Sequence, residues 1–244
     1  MAIRTVFRRY EMKYLLDPMQ KAAVLDALEG RMALDAYGRT TIRNLYLDTD
    51  NYRLIRASIE KPIYKEKLRI RSYRQTAAGE AVFVELKKKY KKVVYKRRLL
   101  MPEDEAHDWL CGDRPRQTRS QIEAEIDYFR RFYGGLAPRV FLSYEREAYA
   151  PLAGADLPDD FRVTFDEKIL GRRDGLSLSL PPDGEALLED GQTLMEIKTG
   201  CGIPLWLVEV MRRAGIYKVS FSKYGTYYQN HILHESEIGR VKLW

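Results

Sequence analysis

The chain has 244 residues, 45% of them hydrophobic, with a formal net charge of +7, which is length and apolar content enough for a globular core. Two cysteines, Cys111 and Cys201, exclude a disulfide framework and a cysteine-built metal cluster, and no apolar run reaches the length of a membrane span. The opening MAIRTVFRRYEMKYLL has no signal-type apolar region, so the expectation is a cytoplasmic protein with one domain over residues 1–244.

Helix signals are few. Asp17 followed by Pro18 reads as an N-cap with proline at the first helical position, leading into MQKAAVLDALEG with Gly30 as the stop. Pro102 opens a short helix at EDEAHDWL. Ser120 and Glu123 form a capping box for QIEAEIDYFRRFYGG, in which Ile122, Ile126, Phe129 and Tyr133 share a face. Pro204 opens IPLWLVEVMRRAGI. Strands dominate, with boundaries expected at Phe7–Leu15, Arg39–Asp48, Lys65–Arg74, Ala81–Lys88, Val93–Met101, Pro138–Tyr149, Phe161–Leu170, Leu176–Leu180 and Thr193–Lys198. The order is not a strict βαβ alternation, which predicts an α+β fold with a mainly antiparallel sheet.

Charge is concentrated. From Lys61 to Arg98 stand fourteen Lys or Arg and three Glu, so this window is more basic than the whole chain and suits a polyanionic partner. At period two, Lys67, Arg69 and Arg71 share a face opposite Leu68 and Ile70. Glu85 and Lys87 oppose Val84 and Leu86, and Lys96 and Arg98 share a face in VVYKRRL. Glu11 and Lys13, Arg162 with Thr164 and Asp166, and Glu196 with Lys198 follow the same rule. A sheet with one wet face shows such alternation routinely, but a solvent face usually mixes signs. Cations directly opposite one another repel by about 0.2–1 kcal/mol per pair. If the sheet closes with this face inward, the cations converge on a phosphate chain. Among the acids, Glu85 reads best as a counter-ion. Glu196 is the leading candidate to hold Mg²⁺ or Mn²⁺ and Glu11 the second, because these hard cations take one or two carboxylates plus substrate phosphates. The run Lys88, Lys89, Lys91 and Lys92 reads as a solvated turn.

At these residues the sequence resembles the VTC-type polyphosphate polymerase domains of the triphosphate tunnel metalloenzyme (CYTH-like) superfamily. The motifs FRRYEMKYLL, NLYLDTDNY, KLRIRSY, FVELKKK, VYKRRL, LSYEREAY, FRVTFDE, LMEIKTG and VSFSKYGTYY occur in the family's order. The resemblance implies a closed antiparallel β-barrel of about eight strands around a basic tunnel, with flanking helices. Carried over residue by residue, it implies catalytic roles for Lys13, Arg69, Arg71, Lys87, Arg146, Arg162 and Lys223. Lys67, Lys96, Arg98 and Lys198 are read as phosphate-binding, and Glu196 and Glu11 as metal ligands. The triphosphatases' opening E-x-E-x-K reads Arg9-Tyr10-Glu11-Met12-Lys13 here, one carboxylate fewer, which weighs against two-metal hydrolysis.

The implied reaction moves the γ-phosphate of ATP, or of another nucleoside triphosphate, onto inorganic polyphosphate with a divalent cation. The attacking phosphate is already an anion, so no general base is needed, and His107, His231 and His234 lie outside every tunnel strand. The rivals are an inorganic triphosphatase or polyphosphatase of the same fold, a non-catalytic polyphosphate binder, and a basic sandwich without activity. Nucleic acid is not expected, because the tyrosines read equally as core.

Overall fold

The computed structural model describes residues 10–91, 93–112 and 117–234. Phe7–Arg9 of the expected first strand, Arg9 of its motif and Lys92 of the lysine run lie outside the described residues.

Among the described residues eleven strands and six α-helices follow one another. The strands are β1 (Tyr10–Leu16), β2 (Met32–Leu34), β3 (Thr40–Asp48), β4 (Tyr64–Ser72), β5 (Ala81–Tyr90), β6 (Val93–Pro102), β7 (Ala137–Pro151), β8 (Arg162–Arg172), β9 (Glu185–Ala186), β10 (Thr193–Thr199) and β11 (Lys218–Val219). The helices are α1 (Pro18–Leu28), α2 (Arg53–Ile59), α3 (Glu103–Cys111), α4 (Gln121–Tyr133), α5 (Leu205–Arg213) and α6 (Lys223–Tyr227), the last running into a π-helical turn over Tyr228–Leu233. The expected box forms at Asp17 and half of the one expected at Ser120, where the Glu123 side chain accepts from the Arg119 N–H instead of the Ser120 N–H. Asp17 accepts from the Gln20 N–H while the Gln20 side chain accepts from the Asp17 N–H, and Ser120 accepts from the Glu123 N–H. No described helix is long and apolar enough to cross a membrane.

The strands hydrogen-bond in the order β11-β1-β10-β8-β7-β3-β4-β5-β6, with β2 on β7 and β9 on β8. The sheet is antiparallel as expected, but it does not close into a barrel: among the described residues no pairing joins β6 to β11. The physical reason lies in the terminal strands. β11 has two residues to offer, and the ten-residue β6 carries Lys96, Arg97 and Arg98 along its free edge, a composition that discourages further pairing. A second correction concerns Leu176–Leu180, which is a loop. Arg172 holds the chain there, donating to the carbonyls of Asp174, Gly175, Pro181 and Asp183, so these groups are taken from any ladder.

The chain builds two compact units. The first comprises the described residues of Met1–Thr41 with Tyr144–Ile169 and Ala186–Phe221. Its core sets Tyr14, Leu16, Val163, Phe165, Met195 and Ile197 from the sheet against Val24, Leu28, Leu207 and Met211 of α1 and α5. The second comprises Ile42–Ser143, Leu170–Glu185 and the described part of Ser222–Trp244. There Leu45, Leu47, Leu68, Ile70, Val82, Val84 and Leu86 pack under Trp109, Leu110, Ile126 and Phe129 of α3 and α4. Each buried aliphatic or aromatic side chain contributes about 1.5–3 kcal/mol. In both units the apolar half of the alternation faces the helices, so the charged half occupies the opposite face of the strands.

Candidate functional site

In the second unit, register turns alternation into rows. Tyr46 stands opposite Arg69, Arg69 opposite Glu85, and Glu85 opposite Arg98. One step along, Lys67, Lys87 and Lys96 are directly opposite one another on three successive strands. On the other side Asn44 meets Arg71.

Glu85 is the hub of these rows and is only 1% exposed. Its Oε2 accepts from Arg69 Nε at 2.9 Å and Nη2 at 2.7 Å, and Arg71 Nη1 lies 3.9 Å away. Its Oε1 accepts from Arg98 Nε at 2.8 Å and lies 2.6 Å from Lys96 Nζ. Hydroxyl and amide oxygens hold further donors: Arg69 Nη1 on Tyr46 Oη at 3.0 Å, Arg71 Nε on Asn44 Oδ1 at 2.8 Å, and Arg98 Nη2 on Tyr73 Oη at 2.8 Å. Burial by itself would raise the Glu85 carboxyl pKa. The charges of Arg69, Arg71 and Lys96 more than reverse that and hold it far below the usual carboxylate range. Lys96 moves the other way. Desolvation and the neighbouring Arg69 and Arg98 outweigh its attraction to Glu85 and bring its pKa down to about 7. One carboxylate facing four cations leaves a positive surplus, which the flanking Lys67 and Lys87 increase.

The C-terminal helix is seated on this unit. Lys67 Nζ donates to Ser222 Oγ at 2.8 Å, and Ser222 caps α6, whose first residue is Lys223. Tyr224 stacks on Tyr46 at 4.8 Å and donates to Asp48 Oδ2 at 3.0 Å. Gly171 leaves room for the Tyr227 ring, since a Cβ there would stand 2.7 Å from Cε2. The same unit holds a cavity of about 530 Å³ lined by Tyr52, Arg139, Arg173, Glu185 and Tyr227 among others, which shares no lining residue with the Glu85 cluster.

In the first unit the rows are Lys13–Glu196–Thr164 and Glu11–Lys198–Arg162. Arg146 forks onto the fully buried Asp166, Nε to Oδ1 at 2.5 Å and Nη2 to Oδ2 at 2.7 Å, with Glu196 Oε2 3.9 Å from Nη2. Burial would lower the Arg146 pKa, but the Asp166 carboxylate raises it well above the usual value. Lys198 Nζ is 3.5 Å from Glu196 Oε1, Lys13 Nζ donates to the Phe221 carbonyl at 2.9 Å, and Arg162 Nη2 reaches Asp35 Oδ2 at 2.5 Å.

The predicted site residues therefore divide by unit. Lys67, Arg69, Arg71, Lys87, Lys96, Arg98 and Lys223 belong to the second, and Glu11, Lys13, Arg146, Arg162, Glu196 and Lys198 to the first. Glu85 is the counter-ion the sequence suggested. Asn44, Tyr46, Asp166 and Ser222 are participants the sequence reading did not assign. The first three had a signal, since Asn44, Tyr46 and Asp48 alternate in RNLYLD and Asp166 shares a face with Arg162. Ser222 had none, because its role depends on where α6 lands. Among the described residues no group of three His, Cys, Asp or Glu gathers in a metal-holding arrangement. Asp166 is gripped by Arg146, Glu196 lies within reach of both Arg146 and Lys198, and Glu11 stands opposite Lys198 in the register.

No protein of curated function matches the sequence. Among solved structures, the chain shares its fold with a Bacillus halodurans protein provisionally named an adenylate cyclase, with 15% identity, a TM-score of 0.54, and 93% of this chain and 99% of that one covered. A Vibrio parahaemolyticus protein named in the same way aligns at 10% identity and a TM-score of 0.47, over 91% of this chain and 98% of that one. The model of the VTC domain matches residues 8–231, nearly the whole chain. The cationic strand faces described above are thus those of a member of the VTC domain family, to which this chain belongs.

Proposed function

We propose that the chain is a polyphosphate polymerase that transfers the γ-phosphate of a nucleoside triphosphate, ATP in the first instance, to a growing inorganic polyphosphate chain. The observation that carries this reading is the cluster of Arg69, Arg71, Lys96 and Arg98 around the single buried carboxylate of Glu85, with Lys67 and Lys87 alongside. Such a face is preorganised for several phosphate oxygens at once. Arg forks grip oxygen pairs while the lysines act as point charges. The barrier to joining two phosphate anions is largely their repulsion, and fixed cations in a poorly solvated place lower it without a proton being moved.

On this reading Arg69 and Arg71 orient the phosphate under attack, and Tyr46 and Asn44 fix those guanidinium groups. Lys67, Lys87 and Lys96 track the polymer. In the first unit we assign Glu196 to Mn²⁺ or Mg²⁺, with Lys198 and Arg146 beside it. Such an ion, when bound, neutralises phosphate charge. The released product is the nucleoside diphosphate.

The test is product analysis. Purified protein with ATP and Mn²⁺ is expected to form acid-labile polymer that resolves as a ladder on a polyacrylamide gel. Orthophosphate as the sole product would replace the reading by hydrolysis, and binding without turnover would reduce it to a polyphosphate-binding module.

A further inference from the structure

We infer that Arg43, with the hydroxyl of Ser143, forms a buried site for a small monovalent inorganic anion of chloride's class, on the apolar face of the second unit. Arg43 is only 7% exposed. It alternates with Asn44 and Tyr46, which serve the Glu85 cluster, and shares its face with Leu45 and Leu47 of the hydrophobic core. This is therefore a different face of β3 from the one to which the proposed function belongs.

The other arginines of these strands have acceptors: Arg69 and Arg98 on Glu85, Arg71 on Asn44, Arg146 on Asp166, and Arg172 on a set of loop carbonyls. Among the described residues none supplies Arg43 with a carboxylate, carbonyl or ring, and its Nε is shielded from solvent. Burial pushes its pKa down with nothing to restore it, yet a guanidinium does not give up its proton inside a protein. The positive charge remains, and an uncompensated buried charge is strongly destabilising.

Two buried hydroxyls of the same unit, those of Ser143 and Thr76, lack the same thing. Ser72 stands directly opposite Arg43 in the β3–β4 register. Asn44 Nδ2 donates to the Leu142 carbonyl at 3.0 Å, so Ser143, the next residue of the adjoining strand β7, lies close to this stretch of β3. Ser143 is 1% exposed and its Oγ has no partner among the described residues, and the Oγ1 of Thr76, four residues beyond Ser72, is in the same condition. Guanidinium groups only donate, and a free hydroxyl can turn its proton toward the same point. What these groups have in common is the need for an acceptor, and the guanidinium needs it charged. One cation balances one negative charge, and the slight exposure admits a small ion, so a monovalent anion fits where a polyphosphate does not.

Crystals of the full chain grown with bromide as the halide decide the matter by anomalous scattering. A bromide peak beside the Arg43 guanidinium and Ser143 Oγ is expected, and the absence of anomalous signal there, or ordinary water density in its place, overturns the site. In solution, at constant ionic strength, halide should raise the thermal midpoint of the wild-type chain. Arg43→Met should abolish that dependence, and Ser143→Ala should weaken the apparent halide affinity about tenfold. Arg69→Ala, which disturbs only the polyphosphate face, should keep the halide response. An Arg43→Met protein that responds to halide like the wild type would refute the assignment, and so would one more stable than the wild type at every halide concentration. If Arg43→Met fails to fold, Ser143→Ala and the bromide crystals still decide. The polymerase assay enters none of these readouts, so the two proposals fail independently.

Discussion

Arg69 and Lys96 contact the same carboxylate but differ in what their removal does. Arg69 donates twice to Glu85 Oε2, while Lys96 and Arg98 share Oε1. Arg69→Ala leaves Glu85 with three cations still nearby, so the fold is expected to survive, with turnover reduced at least about 100-fold; chain synthesis and thermal melting measured on the same sample check both parts. Glu85→Gln does the reverse, leaving converging cations without their counter-charge at an expected cost of about 3–5 kcal/mol by denaturant unfolding. Lys96 brings a pH dependence. Its pKa in the fold, about 7, lies below that of an unfolded lysine, so between these values the folded chain binds fewer protons and Lys96 makes stability rise with pH. Phosphate binding needs the charged form. Affinity for a short polyphosphate should therefore fall as pH rises from 6 through 8, and Lys96→Met should flatten that part of the profile in calorimetric titrations. An unchanged profile in the variant would assign the dependence elsewhere.

Among the elements, the carboxylates of Asp48 and Glu167 act as fasteners. Asp48, the last residue of β3, accepts from the N–H groups of Leu54 and Ile55 at 2.8 and 3.0 Å and from Tyr224 Oη at 3.0 Å. It thereby fixes the start of α2 and the placement of α6. Asp48→Ala strands these donors in a buried place and should cost about 3 kcal/mol or more, with the loss also visible as proteolytic access to α6. Glu167 ties α1 to β8 and β10, accepting from Lys21 Nζ at 2.6 Å, Thr193 Oγ1 at 2.8 Å and Arg39 Nη2 at 2.7 Å. Burial would raise its pKa, but these three donors bring it down to about 2. A depressed carboxylate pKa contributes stability that is whole above the unfolded value and is lost as pH falls toward the folded one. Discounted for solvent screening, that contribution is about 1–2 kcal/mol. Thermal melts of Glu167→Gln and wild type should differ near neutrality and converge between pH 4.5 and 2.

At the scale of the molecule the net charge of +7 understates the local field, because the Lys61–Arg98 window alone supplies half of the second unit's Lys and Arg. Binding of a polyanion to such a face should weaken steeply with added salt, falling by at least about tenfold between roughly 50 and 200 mM. Fluorescence anisotropy with labelled polyphosphate measures this, and a flat response would mean the cations are spent on internal acids.

The phase of the charged strands β1, β4, β5, β6, β8 and β10 was legible because side-chain direction in a strand depends on nothing beyond the period of two. Helix starts were legible because caps are local hydrogen bonds, as at Asp17 and Ser120. Alternation sorts residues onto faces without naming their neighbours, so the sequence by itself could state that Arg69 and Glu85 turn away from the core but not that they meet. Strand order, the open ladder between β11 and β6, the loop gathered by Arg172 and the seat of α6 on Tyr46 were decided only in three dimensions. Each of these joins segments distant in sequence, where pairing length, counter-charge and available volume decide and no local periodicity reports.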